Sequence, residues 1–170
     1  MTNLNDPDMK EIVDDFCDEA TVLFSELSDL IAVLEENSQD SLRMEQFGQT
    51  IDRIMGAAKS IGAEEIGTFC ELGKAIAYKA SQTQEKALLD VVVAVLADAI
   101  ELLSMMIDQL KTGNDKSLKT LNTKAFGTRL KWLSEKFKHI QRASCSTTEA
   151  GKEKDLSQES IDNLLASLGL

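Results

Sequence analysis

Apolar residues recur three and four positions apart along most of this 170-residue chain, with polar residues between them. This spacing is typical of helices that bury one face. The longest run predicts a first helix of about thirty residues that opens at Asp6 and Pro7, because aspartate caps free amides and proline suits a first turn. Further runs predict helices at about residues 42–61, 63–80, 84–111 and 121–142.

The composition supports an all-α fold. Ala, Leu, Glu and Lys are frequent, aromatic residues make up 5% of the chain, and there is one proline, which favours helices over sheets. We predict an antiparallel helical bundle over residues 1–142, whose last helix, at about 119–142, is basic. The fourth helix is apolar on more than half of its circumference, so it should lie centrally or at the interface of a homodimer.

The C-terminal region divides into two parts. Residues 143–155 have almost nothing to bury and predict a flexible linker. Residues 156–170 regain an amphipathic pattern, but a helix this short is marginal alone in water. It therefore suits docking into the groove of a partner, and the alternative is that it packs back on its own bundle. Its apolar stripe consists of Ile161, Leu164, Leu165 and Leu168.

Charge limits the classes of partner. The formal net charge of −11 argues against binding to nucleic acid or to anionic membranes. Residues 1–40 carry twelve acids and one base, whereas residues 111–142 carry nine bases and two acids. The basic fifth helix is therefore either a solvated face or a docking surface for an acidic partner.

The sequence lacks the arrangements of residues that several kinds of catalytic or metal site require. The three cysteines are widely spaced without a CxxC pair, and the one histidine, His139, lies on the basic helix, where a structural role is expected. We expect no metal site and no cofactor of the protein's own. The most apolar stretch, residues 87–110, is interrupted by four acids, and the N-terminus lacks a signal peptide. These features predict a cytoplasmic protein without membrane insertion.

The second helix has an unusual outer face. Opposite its apolar stripe lie Glu45, Gly48, Gln49, Asp52 and Gly56. A glycine inside a helix costs about 1 kcal/mol relative to alanine. Two of them are tolerable if a partner must approach the helix backbone closely. The alternative is ordinary packing of a small residue against a neighbouring helix.

This helix resembles the signature of histidine phosphotransfer (HPt) domains, F-R-x-x-H-x-x-K-G-x-A-x-x-x-G. Gly56, Ala58 and Gly62 match this signature, and Phe47 lies one position before the place of its phenylalanine. The resemblance covers about residues 8–110 and implies an HPt-like bundle core there, with the basic fifth helix as an addition. The second helix of such a core docks response regulators. However, Asp52 stands where the phosphorylated histidine would be and Met55 where the lysine would be. Phosphotransfer through histidine is therefore excluded, while the docking face would be retained.

The C-terminal segment carries a second resemblance. IDNLLASLGL is similar to the C-terminal peptide of the chemotaxis phosphatase CheZ, and LSQESIDNLL is similar to the N-terminal segment of the flagellar switch protein FliM. Both peptides bind the response regulator CheY as short helices. The resemblance implies that Ile161, Leu164, Leu165 and Leu168 dock on a CheY-type regulator.

CheZ-type phosphatases use an acid followed four residues later by glutamine. Glu45 and Gln49 have this order and spacing, one turn before Asp52. By this resemblance, Gln49 orients a water toward the aspartyl phosphate, and Glu45 or Asp52 contacts a lysine of the regulator. Gly48 and Gly56 would permit close approach. Any Mg²⁺ would be carried by the regulator. The alternative is that the acid and amide are merely solvated surface.

Three hypotheses follow. The first is a chemotaxis or two-component signalling protein that binds a CheY-type regulator and promotes its dephosphorylation. The second is a non-catalytic, HPt-like adaptor that only binds a regulator. The third is a structural helical bundle whose tail packs on itself.

Overall fold

A computed structural model describes residues 4–143 and 158–170 of the chain. The fold is an all-α bundle, and every regular element in these two ranges is helical. The helices are α1 (Lys10–Glu36), α2 (Ser41–Ile61), α3 (Glu64–Ser81), α4 (Lys86–Lys111), α5 (Lys124–Ala143) and α6 (Gln158–Leu168). Short 3₁₀ turns at Pro7–Met9 and Leu118–Thr120 precede α1 and α5.

The helix ends follow from local sequence. Oδ1 of Asp6 accepts a hydrogen bond from the Asp8 amide, and Oδ1 of Asp40 accepts one from the Arg43 amide, both at 3.1 Å. Gly62 ends α2 in the left-handed conformation at φ 87°. The predicted first helix opens at Pro7 as a 3₁₀ turn and becomes α-helical at Lys10, and α5 begins at Lys124 rather than about residue 121.

Helices α1 to α4 form a closed ring in which each helix packs on two others. Short loops make successive helices antiparallel. The ring closes between α1 and α4, since Asp18 near the start of α1 pairs with Lys111 at the end of α4 at 3.2 Å. At the opposite end, Ser38 Oγ donates to Asp90 Oδ1 at 2.5 Å. The core of this ring includes Leu27, Leu34, Phe47, Ile54, Val92, Leu96 and Leu103, all at 0% exposure.

A second ring shares α3 and α4 with the first. Helix α5 packs on α4, and α6 packs on both α3 and α5. Phe69 of α3 contacts Phe126 of α5, with ring centroids 5.7 Å apart. Helix α4 therefore lies centrally within the bundle, which is one of the two positions predicted for it. The predicted inner residues of α5 whose side chains are described, Phe126, Leu130, Leu133 and Phe137, are all buried.

Helix α6 lies on its own bundle, which is the alternative that the sequence left open beside docking into a partner. Its side chains Ile161 and Leu165 are only 2% and 5% exposed, because α6 lies in the groove between α3 and α5. Burying an aliphatic side chain contributes about 1.5–3 kcal/mol, so a short helix gains stability on any matching apolar groove. The bundle itself offers such a groove. The predicted linker, residues 143–155, lies outside the described residues except for Ala143.

Candidate functional site

The polar stripe of α2, which consists of Glu45, Gln49, Asp52 and Gly56, runs along the outer face of the four-helix ring. Glu45, Gln49 and Gly56 are exposed, and Asp52 is half-buried. Positions spaced by three and four residues share a helix face. The inner face of the same helix is fixed in the core through Phe47. The stripe is therefore a solvent-facing row of polar groups on a firmly packed helix.

Asp52 has a partner on the neighbouring helix. Its Oδ1 accepts a hydrogen bond from Nζ of Lys74 on α3 at 2.8 Å, and both side chains are partly exposed. Among the described residues, Glu45 has no such ion pair. Of the two candidate acids, Glu45 is thus the one whose charge is available to a cation on a partner, while the charge of Asp52 is already balanced.

Sequence reasoning missed Lys74, although a signal for it existed. Asp52 lies ten residues before the Gly62 turn and Lys74 lies twelve residues after it. In a tight antiparallel hairpin of two helices, residues at similar distances from the turn lie opposite each other. Tyr78 lies one helical turn beyond Lys74 and is 44% exposed, so it adds an aromatic ring on the same side of α3.

The two glycines of the predicted docking face differ from each other. A Cβ on Gly48 would lie 3.7 Å from the Cβ of Ala77, so Gly48 faces α3 and the packing alternative describes it better. A Cβ on Gly56 would meet nothing within 4 Å, which leaves that position open to solvent. The glycine that allows α2 and α3 to approach is Gly73, where a Cβ would come within 2.7 Å of Ile51 Cδ1.

The four residues of the predicted docking stripe of α6 differ in how far they are buried against the bundle. Ile161 and Leu165 are buried, whereas Leu164 and Leu168 are half-buried. The main packing neighbours of α6 are α3 and α5. The structure therefore does not bring the α6 stripe and the α2 stripe together into one site.

The basic charges of α5 are partly used within the bundle. Arg129 pairs with Asp98 of α4, and Lys138 Nζ lies 2.9 Å from Glu135 Oε1 and 4.0 Å from Asp162 Oδ2. Trp132 is 43% exposed, and Nζ of Lys136 lies 5.3 Å from the centroid of its ring. The side chain of His139 lies outside the described residues.

A groove between α1 and α4 is a further concave surface of the four-helix ring. It encloses about 410 Å³ and is lined by Phe24, Ile31, Ile100 and Met105, among others. Met105 is 43% exposed. The homodimer remains a prediction, and this apolar groove is the surface on which a second copy would be looked for first.

The described residues hold no reactive nucleophile on the α2 face. The two described cysteines are buried, and burial raises the pKa of Cys17 to about 11 and raises that of Cys70 further, so both thiols are protonated at neutral pH. In the part of the chain that the structure describes, no three His, Cys, Asp or Glu side chains come together as a metal site. What the α2 stripe offers is a carboxylate and an amide that can position a partner and a water.

None of the described helices combines the length and the apolar character that a membrane crossing requires. Comparison of the chain with models of known protein families, with curated protein sequences and with solved structures found no match in any of the three. The resemblances to HPt domains and to the CheZ and FliM peptides therefore depend on the residues quoted above.

Proposed function

We propose that this protein binds a CheY-type response regulator in the cytoplasm and promotes hydrolysis of its aspartyl phosphate, with Gln49 orienting the attacking water. The observation that carries the proposal is the exposed Glu45–Gln49 pair on one face of α2. The two side chains are spaced one helical turn apart on a helix whose other face is in the core. They can therefore be presented to a partner as a unit.

The chemistry asked of Gln49 is modest. In the hydrolysis, the water oxygen attacks phosphorus, the bond between phosphorus and the aspartate oxygen breaks, and inorganic phosphate and a free carboxylate are formed. Phosphoryl transfer depends mainly on positioning and on charge stabilisation. The amide carbonyl of Gln49 would accept a hydrogen bond from the water and so hold it in line. The Mg²⁺ carried by the regulator would neutralise the phosphate charge.

Glu45 is proposed to contact a lysine of the regulator. It is exposed, and it has no ion pair among the described residues. Asp52 would instead fix the edge of the face through its pair with Lys74. A lysine that contacts Glu45 sets the distance between the two proteins, and the distance decides whether the Gln49 amide reaches the water. This assigns the acid that the sequence left open between Glu45 and Asp52.

The apolar stripe of α6 is proposed to hold the regulator near the bundle. A tethered contact of this kind raises the effective concentration of the partner to the order of millimolar. Weak binding at the α2 face would then suffice. The four residues assigned to this contact are Ile161, Leu164, Leu165 and Leu168.

The direct test is the decay of a phosphorylated CheY-type regulator with and without the protein. We expect the wild-type protein to accelerate decay and the Gln49→Ala variant to lose about 10²-fold of that acceleration, since a misplaced reacting group costs roughly this much. Gln84→Ala is the matched control, because Gln84 is also an exposed glutamine but lies in the loop before α4. Equal acceleration by wild type and Gln49→Ala would remove Gln49 from the mechanism.

One observation favours the adaptor as a second candidate. Asp52, at the position that resembles the phosphoacceptor, is held in an ion pair with Lys74, so this position belongs to a surface for binding but provides no phosphoacceptor. An adaptor would bind the regulator and leave its decay unchanged. Binding that is lost in Leu164→Glu, together with unaltered decay in the wild-type protein, would establish the adaptor and refute the phosphatase.

A further inference from the structure

The α6 side chains that the proposed function gives to the regulator are already in use within the chain. Ile161 and Leu165 are 2% and 5% exposed against the bundle. A side chain cannot fill the groove of the bundle and the groove of a partner at the same time. The bundle and the regulator therefore compete for the same apolar stripe of α6.

We propose that α6 is a self-occluding docking element: the groove between α3 and α5 competes with the regulator for Ile161 and Leu165, and only the open form captures the partner. This inference rests on the proposed function and adds its regulation. It also explains how a strongly apolar tail stays covered when no partner is bound.

Polar contacts between α6 and α5 include two made by Asp162. Ser134 Oγ of α5 donates to Asp162 Oδ1 at 2.5 Å, and Lys138 Nζ lies 4.0 Å from Asp162 Oδ2 with both side chains near half exposed. The chain end is turned back by the Leu170 amide, which donates to the Leu165 carbonyl at 3.0 Å. The buried side chains Ile161 and Leu165, together with the partly buried Leu164, Leu168 and Leu170, pack α6 against the core.

The expected consequence is quantitative. When a ligand binds only one of two states, its apparent association constant is the intrinsic constant multiplied by the fraction of molecules in that state. If α6 is closed in nine molecules out of ten, the full chain binds about tenfold more weakly than its open form does. Substitutions in the groove that open α6 should strengthen binding without touching the docking stripe itself.

The structure offers a reversible lock for α6. A Cβ placed on Gly127 of α5 would lie 4.0 Å from the Cβ of Leu170, within the range of about 3.5–4.5 Å that disulfides require. The double variant Gly127→Cys/Leu170→Cys, made with Cys145→Ser to prevent mispairing, can therefore be closed by oxidation and released by reduction. Neither Gly127 nor Leu170 belongs to the proposed docking stripe, and Cys17 and Cys70 are buried.

Binding of an unphosphorylated CheY-type regulator to this variant tests the inference, with the disulfide verified by mass spectrometry. We expect the oxidised form to bind at least about tenfold more weakly than the reduced form. The single variants Gly127→Cys and Leu170→Cys, treated with the same oxidant, should show no such difference. Equal affinity of the locked and released forms would overturn the inference, because capture would then not require release.

A second variant weakens the contact between α5 and α6 without changing α6 itself. Ser134→Asp places a carboxylate beside that of Asp162 and should weaken the closed form, so we expect regulator binding a few-fold tighter than in the wild type. Unchanged or weaker binding by a folded Ser134→Asp chain would count against occlusion. Circular dichroism and urea unfolding establish that this variant is folded.

Hydrogen exchange separates failure of this inference from failure of the proposed function. If α6 amides of the reduced variant exchange faster than those of the oxidised variant, but no form binds the regulator, then α6 opens and it is the proposed function that fails. If the wild-type chain binds the regulator while its α6 amides remain as protected as those of α2 throughout, α6 is a permanent part of the bundle and the inference fails.

Discussion

The α2–α3 hairpin and the α5–α6 pair are both antiparallel helix pairs, but they are held together differently. In the hairpin, Gly73 lets the helices approach closely against Ile51, and the ion pairs Lys59–Glu71 and Asp52–Lys74 close the outer edge. The α5–α6 pair depends on Ile161 and Leu165 and on the polar contacts of Asp162.

This difference suits the separate tasks that we propose for the two regions. A side chain that must place a water needs a rigid base, and the α2 face is fixed by fully buried residues such as Phe47 and Ile54. A segment that must find a partner needs to leave its resting place, and elements with few buried contacts are the ones that open locally. The catalytic proposal therefore belongs to α2 and the capturing one to α6.

The largest effect is expected from the core under the α2 face. Phe47→Ala should lower the free energy of unfolding by about 3–5 kcal/mol, since it removes a fully buried aromatic ring and leaves a cavity. Urea unfolding followed by circular dichroism measures the change. Leu42→Ala is the control, because Leu42 is 59% exposed on the same helix and should change stability by less than about 0.5 kcal/mol. A loss below about 1 kcal/mol for Phe47→Ala would mean that α2 is not firmly anchored.

A smaller and more local effect is expected in α6. Leu165→Asp places a charge in the groove of the bundle and should release the helix. We expect the amides of α6 to lose their protection in hydrogen exchange, while the rest of the bundle loses at most about 1–3 kcal/mol of stability. Ala166→Asp is the matched control, because Ala166 is exposed on the other face of α6. Cooperative unfolding of all six helices in Leu165→Asp would contradict the separation of the two regions.

The ion pair at the edge of the hairpin should matter less for stability. Lys74→Met removes the partner of Asp52, and a partly exposed pair of this kind contributes less than about 1 kcal/mol. Urea unfolding at low and at high salt should show that the difference between wild type and variant shrinks as salt screens the pair. A loss of several kcal/mol that persists at high salt would show that Lys74 has a packing role instead.

The smallest effect concerns acid stability at Asp90 of α4, which Ser38 of the loop between α1 and α2 contacts. Hydrogen bonds from Lys86 and then from Ser38 lower the pKa of Asp90 below its ordinary value of 3.8. A carboxyl whose pKa is lowered by folding stabilises the folded state above its unfolded pKa, and this contribution is lost as pH falls through the folded pKa. Thermal unfolding between pH 7 and pH 2.5 should therefore fall less steeply at the acid end for Asp90→Asn. If the unfolding temperature of Asp90→Asn falls toward acid pH as steeply as that of the wild type, Asp90 does not contribute to acid unfolding.

Much of the fold could be predicted from the sequence, because helix periodicity is a local signal. The apolar spacing predicted α2 at about residues 42–61, and the structure has Ser41–Ile61. Gly62 marks the turn because only a residue that tolerates positive φ fits there. The outward position of Glu45 and Gln49 followed from the same periodicity.

The pairing of helices could not be predicted in the same way. An amphipathic stripe indicates which face of α6 is apolar but not which surface covers it, so the sequence left both the partner and the bundle open. The pair between Asp52 and Lys74 depends on the register of α2 against α3, which the contact of Gly73 with Ile51 helps to set. Both features are tertiary, and both change the interpretation of the candidate site.

The most direct measurement of the central claim is the concentration dependence of regulator dephosphorylation in two variants. If α2 performs the chemistry and α6 captures the partner, Gln49→Ala lowers kcat with little change in KM. Leu164→Glu should instead raise KM and leave kcat close to that of the wild type, because the proposal gives the half-buried Leu164 a role in docking alone. A fall of kcat in Leu164→Glu, or a normal kcat in Gln49→Ala, would contradict the division of labour between the two helices.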